Sequence, residues 1–96
     1  MRIDSFNSKA LERFWRDGDA RGLPQKQIEK IRAMLTAVSE AASLAEIERY
    51  SGWRLHPLKG DRRGIWAMVV TRNHRLTFRL SGRNVTEMNL EDYHGK

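Results

Sequence analysis

The second half of this 96-residue chain carries three groups of polar side chains that could move protons and hold a phosphate: His56 with Lys59, Arg75 with Arg79, and the terminal run Asp92-Tyr93-His94. Cleaving RNA without a metal needs a base for the 2′-hydroxyl proton, an acid for the departing 5′-oxygen, and cations around the phosphorane between them. Histidine titrates near neutrality and suits either proton role. Tyrosine suits one too where cations lower its pKa from about 10. Arginine meets two phosphate oxygens at once and stays charged throughout. Each residue also has an ordinary role. A histidine before a proline is often structural, a chain end is commonly poorly ordered, and an arginine on a wet sheet face is usually just solvated. Their conjunction is what points to phosphate chemistry.

The elements that must position these groups follow an apolar period of two. Residues 54–56, 65–70, 75–80 and 85–90 read as four strands, and the short polar breaks at 59–64, 71–74 and 81–84 make them antiparallel neighbours. In the 75–80 strand, alternation sends Leu76, Phe78 and Leu80 to one face and Arg75, Thr77 and Arg79 to the other. Arg54 and His56 share a face in the same way, opposite Leu55. The expected sheet has an apolar side and a cationic side, although any antiparallel sheet with one wet face carries a few arginines.

Upstream the period is helical. Residues 3–6 suit a short first strand, and Ser8 suits the cap of a helix with Leu11, Phe14 and Trp15 on one face. Asp17-Gly18-Asp19 ends it. A second helix is expected over about 24–42, with Ile28, Ile31, Leu35 and Val38 toward the core. Ser43-x-x-Glu46 has the spacing of a capping box for a short third helix. The expected fold class is α+β, a single domain over 1–96 with two to three N-terminal helices on one face of a twisted, mostly antiparallel sheet of about five strands.

Charge placement agrees with a polyanionic ligand. Residues 1–48 hold eight Lys/Arg against eight Asp/Glu, whereas residues 49–96 hold ten against four. Between Arg49 and Arg83 there are nine basic residues and one acid, Asp61. Such a field concentrates nucleic acid, or alternatively an acidic protein partner. Arg54, Arg62, Arg63 and Arg79 are the expected RNA-binding residues, Arg62 and Arg63 from a polar loop with no apolar partner nearby. Other chemistries fit less well. There is no cysteine, and His56, His74 and His94 lack metal-ligand spacing, so neither a metal nor a cofactor is expected. No Gly-rich nucleotide loop, Gly-x-Ser-x-Gly elbow or aromatic stacking platform is present. No run of about eighteen apolar residues or secretory leader occurs, so a cytoplasmic protein is expected.

The run Gly52-Trp53-Arg54-Leu55-His56-Pro57-Leu58-Lys59-Gly60-Asp61, then Gly64-x-Trp66, Arg75-Leu76-Thr77-Phe78-Arg79 and Asp92-Tyr93-His94, closely resembles the HigB (proteic killer) toxins of the RelE/ParE superfamily. The resemblance implies a RelE-like fold and the toxin of a type II toxin–antitoxin pair. It implies an endoribonuclease that cuts mRNA on the 70S ribosome, in the A site, and that a cognate helix-turn-helix (HigA-like) antitoxin neutralises. The family's catalytic positions fall on His56, Lys59, Asp92, Tyr93 and His94, with Arg75 as the expected arginine. The alternative is a non-catalytic toxin of the ParE branch, which binds a protein target such as gyrase. One departure is visible: relatives often have Gly-Asn-Trp-Arg where this chain has Arg72-Asn73-His74-Arg75.

Overall fold

Helix α1 (Lys9–Asp17) starts where Ser8 accepts a hydrogen bond from the Leu11 amide at 3.1 Å. It stops at Gly18, whose φ of 75° lets its N–H turn back onto the Arg13 and Phe14 carbonyls. The computed structural model describes residues 1–93, so His94 lies outside the described residues. Helix α2 spans Ile28–Glu40, later than expected, because Gln25–Gln27 form a 3₁₀ turn after Pro24. Helix α3 is a single turn, Leu44–Ile47. Its expected box does not close: Ser43 makes no side-chain cap, and Glu46 instead accepts from the Ala42 amide at 3.1 Å.

The sheet has four strands rather than about five, ordered β1 (His56–Pro57), β2 (Ile65–Val69), β3 (His74–Ser81) and β4 (Asn84–Asp92), all antiparallel. The N-terminal segment makes only two isolated parallel bridges to β4, Ile3 to Val85 and Phe6 to Met88. A bulge in β4 explains this. Thr77 pairs with Asn89 but Arg79 pairs with Thr86, so β4 holds one extra residue there, and Glu87 takes a φ of 56°. The Glu87 amide is met by the Ser5 hydroxyl at 2.9 Å instead of by backbone.

The first sheet strand is also shorter than expected. Arg54 has a φ of 51° and closes a 3₁₀ turn over Ser51–Trp53, so it precedes β1 and does not alternate with His56. Leu11 and Phe14 of α1 and Ile31, Met34, Leu35 and Val38 of α2 pack with Met68, Leu76, Phe78, Val85 and Met88 of the sheet. Leu80, at the strand end, is exposed instead of joining them. Lys30 of α2 ties down the β2 end by donating to the Val70 carbonyl at 2.6 Å. The following turn is held by the Thr71 hydroxyl, which accepts from the Asn73 and His74 amides at 3.1 Å each.

Candidate active site

The face of the sheet opposite the helices gathers the polar groups. Register places His56 beside Ala67, Ala67 beside Thr77, and Thr77 beside Asn89, so these four share one row across that face. His56 therefore lies two strands, roughly 10 Å, from Thr77 at the usual strand spacing. Its Nδ1 sits 2.6 Å from the Arg54 carbonyl, which can only accept, so Nδ1 carries the hydrogen. In the neutral ring this leaves Nε2 as the proton acceptor, on an exposed side chain. The left-handed turn at Arg54 thus sets the tautomer of His56.

Arg75 lies at the other end of the face, and its surroundings were not apparent from the local sequence. Its Nε donates to Glu91 Oε1 at 3.0 Å, and its guanidinium carbon stands 4.9 Å from the centre of the Tyr93 ring. Glu91 also receives Arg62 from the 59–64 loop, Nη1 to Oε1 at 2.9 Å and Nη2 to Oε2. The Thr77 hydroxyl completes the set at 3.3 Å and is buried, not on a wet surface. The Arg62 hydrogen bond holds the Glu91 carboxyl below its ordinary range; burial opposes this and Arg75 adds to it. Arg62 accordingly crosses the sheet face instead of projecting from the loop with Arg63.

The remaining candidates spread around this centre. Arg79 Nε approaches Glu87 at 3.6 Å. Lys59, Arg54 and Arg63 are exposed and form no ion pair among the described residues. Asp92 follows the opposite parity from Glu91 and Tyr93 and faces His74, Nε2 to Oδ2 4.0 Å. Tyr93 donates to the Thr71 carbonyl at 3.4 Å, and its amide bonds the Asn73 carbonyl at 2.9 Å. The structure so brings Arg62, Arg75 and Tyr93 together, sets His56 on the same face, and turns Asp92 away. Among the described residues no group of His, Asp and Glu could hold a metal.

Asp61 is the lone acid between Arg49 and Arg83 in sequence, and the fold adds Glu87 and Glu91 from β4. A signal for this existed. Apolar residues Val85, Met88 and Leu90 are spaced three then two apart, which a strand accommodates only with a bulge. A small cleft of about 50 Å³ remains between Arg62, Arg79, Glu87 and Glu91. Wider grooves of about 330 and 350 Å³ lie elsewhere, at Glu40, Glu46 and Arg49 and at Arg13, Asp19 and Arg21. Neither contains His56, Arg75 or Tyr93.

Comparison with known proteins finds relatives in both sequence and fold. The family described as a RelE-like toxin of type II toxin–antitoxin system HigB matches residues 4–94. Endoribonuclease HigB of Proteus vulgaris is 37% identical over 92 residues, covering 96% of this chain and 99% of that protein. Among solved structures, a YoeB/ParE toxin from Agrobacterium tumefaciens superposes with a TM-score of 0.51 at 25% identity, covering 98% of this chain and 99% of that one. YafQ from E. coli superposes with a TM-score of 0.55 at 14% identity, covering 96% and 93%, a likeness of fold.

Proposed function

Because the chain belongs to the HigB-like family of RelE-like toxins of type II toxin–antitoxin systems, we propose that it is an endoribonuclease that cuts mRNA in the ribosomal A site. The reaction uses the RNA's own 2′-hydroxyl as nucleophile and needs no metal. A base removes the 2′-hydroxyl proton, the oxygen attacks phosphorus, and the bond to the 5′-oxygen breaks as an acid protonates it. The products are a 2′,3′-cyclic phosphate and a 5′-hydroxyl.

His56 and the Tyr93-His94 end of the terminal run supply the two proton-transfer groups, while Asp92, which faces His74, holds that run from the other side of the strand. Arg75 and Lys59 stabilise the charge on the phosphorane, and Arg54, Arg62, Arg63 and Arg79 hold flanking RNA. The observation that carries this reading is the setting of Arg75. Its Nε is bonded to Glu91 and its face covers Tyr93, while among the described residues no acceptor takes its Nη groups. A guanidinium fixed on two sides, on the same sheet face as a histidine with Nε2 exposed, suits a phosphate in transit between proton donors. Activity on ribosomes places the protein in the cytoplasm, and a cognate helix-turn-helix antitoxin silences it by binding.

Mapping mRNA 5′ ends on translating ribosomes, with and without the protein, tests this. New ends inside A-site codons, bearing a 5′-hydroxyl, are expected. If no new ends form, the chain is better read as a toxin that binds a protein target such as gyrase.

A further inference from the structure

Glu91 stands where a phosphate would be expected. Its two oxygens accept four donors: both Nη groups of Arg62, Nε of Arg75 and the Thr77 hydroxyl. A planar carboxylate in the fork of a guanidinium has the geometry of two phosphate oxygens in the same fork. The two arginines differ in how firmly they are held. The Arg75 side chain is 20% exposed, belongs to an inner strand of the sheet and rests on Tyr93. That of Arg62 is 41% exposed and belongs to a single 3₁₀ turn between Gly60 and Gly64, both at positive φ.

We propose that Glu91 is a positioning residue for RNA cleavage: it fixes Arg75 through Nε, and it occupies Arg62 until an RNA phosphate takes that guanidinium from it. This rests on the reading of the site as an RNA-cleaving one. In the resting protein the carboxylate cancels one cation, which limits capture of arbitrary polyanions. Arg62 and Glu91 both line the small cleft beside them, and their pairing keeps that guanidinium occupied in the resting protein. On binding, Arg62 swings to the RNA, and Arg75 keeps its single tie to Glu91 and its stacking on Tyr93. Glu91 moves no proton and touches no substrate.

Glu91→Gln, which keeps shape and removes charge, separates this role from others. Binding is measured on an RNA with a 2′-deoxy sugar at the cleavage position, across a salt series, and cleavage is measured as a single turnover at saturating ribosome. The variant should bind severalfold more tightly, with the salt slope steeper by about 0.7 for each guanidinium released. Its saturated rate should fall on the order of 10²-fold, the scale for a misplaced catalytic group. An unchanged saturated rate would make Glu91 a mere counterion and overturn the proposal. Loss of binding and rate together with a collapsed melting transition would make it a scaffold residue, and also overturn it.

Glu91→Asp covers the case of a variant that does not fold. It keeps the charge, so the mobile Arg62 can follow the carboxylate, but it is one methylene too short to hold Arg75 in place as well. Wild-type salt slope with a reduced rate is expected, and a wild-type rate refutes the proposal. The Nε–H resonance of Arg75 reports independently of activity. It should move to the position of a solvated arginine in Glu91→Gln, and its staying in place refutes the tie. Should the wild type cut nothing on ribosomes, the functional reading falls on its own, while slope and resonance still judge Glu91.

Discussion

Replacing Arg75 by lysine keeps the charge and removes the geometry, and the structure sets the size of the effect. Arginine at this position satisfies Glu91 with Nε and still has two Nη groups for phosphate. Lysine has one ammonium, which can pair with Glu91 or with a phosphorane but cannot span both. Arg79 cannot substitute, since it lies roughly 13 Å along the strand at about 3.3 Å per residue and leans toward Glu87. Losing one preorganised transition-state donor lowers the rate by about 10² to 10³, or ~3–4 kcal/mol. Stability should fall much less, because Arg62 still neutralises Glu91. A loss of about 1 kcal/mol for one hydrogen bond corresponds to roughly 4–8 °C in a domain of this size. Single-turnover cleavage on ribosomes programmed with a short mRNA, beside a circular-dichroism melt, separates the two quantities. A well-folded Arg75→Lys protein that cuts at the wild-type rate would refute the assignment of Arg75 to the phosphorane.

Further outcomes are expected. His94→Gln should abolish cleavage and leave antitoxin binding intact, so full cleavage by the folded variant removes His94 from the mechanism. Arg63→Ala should flatten the salt slope of RNA binding by about 0.7 with little change in the saturated rate, because Arg63 is exposed and forms no ion pair among the described residues. An unchanged slope means that Arg63 does not reach RNA. The depressed Glu91 carboxyl fixes a pH dependence: its contribution is fully present above the unfolded value of about 4.3 and is lost as pH falls below it. The melting-temperature gap between wild type and Glu91→Gln should therefore shrink on acidification; a gap independent of pH contradicts the ion-pair account. Gly64→Ala forces a side chain onto a φ of 95° and brings a Cβ within 2.8 Å of Arg79 Nη1. The backbone term costs about 1–2 kcal/mol, and an unshifted urea midpoint would deny that conformation.

Local chemistry was enough to read α1 and the alternation in the middle of β3. Ser8 and Gly18 bracket α1 because capping and left-handed turns need only neighbouring residues. Leu76 and Phe78 are buried because a period of two acts within a few residues. His56, Lys59, Arg75 and the Asp92-Tyr93-His94 run stood out by residue type, and their resemblance to a known family followed from contiguous motifs. Other features depended on longer range. The segment at 3–6 is a poor strand because the bulged strand beside it offers backbone partners only on either side of Glu87.

The electrostatics of the site were decided by tertiary structure alone. A hairpin counted outward from the Ser81–Asn84 pair without interruption would set Leu90 opposite Arg75. The single extra residue at Glu87 shifts the register, so Glu91 faces Arg75 and points to the polar side. A row that reads in sequence as unopposed cations is in the folded protein an arginine pair organised around one carboxylate. Sixteen residues separate Arg75 from Glu91 and twenty-nine separate Arg62 from it, beyond the reach of any local pattern. A side-chain period of two makes one inserted residue reverse everything beyond it, and only the assembled sheet records that it was inserted.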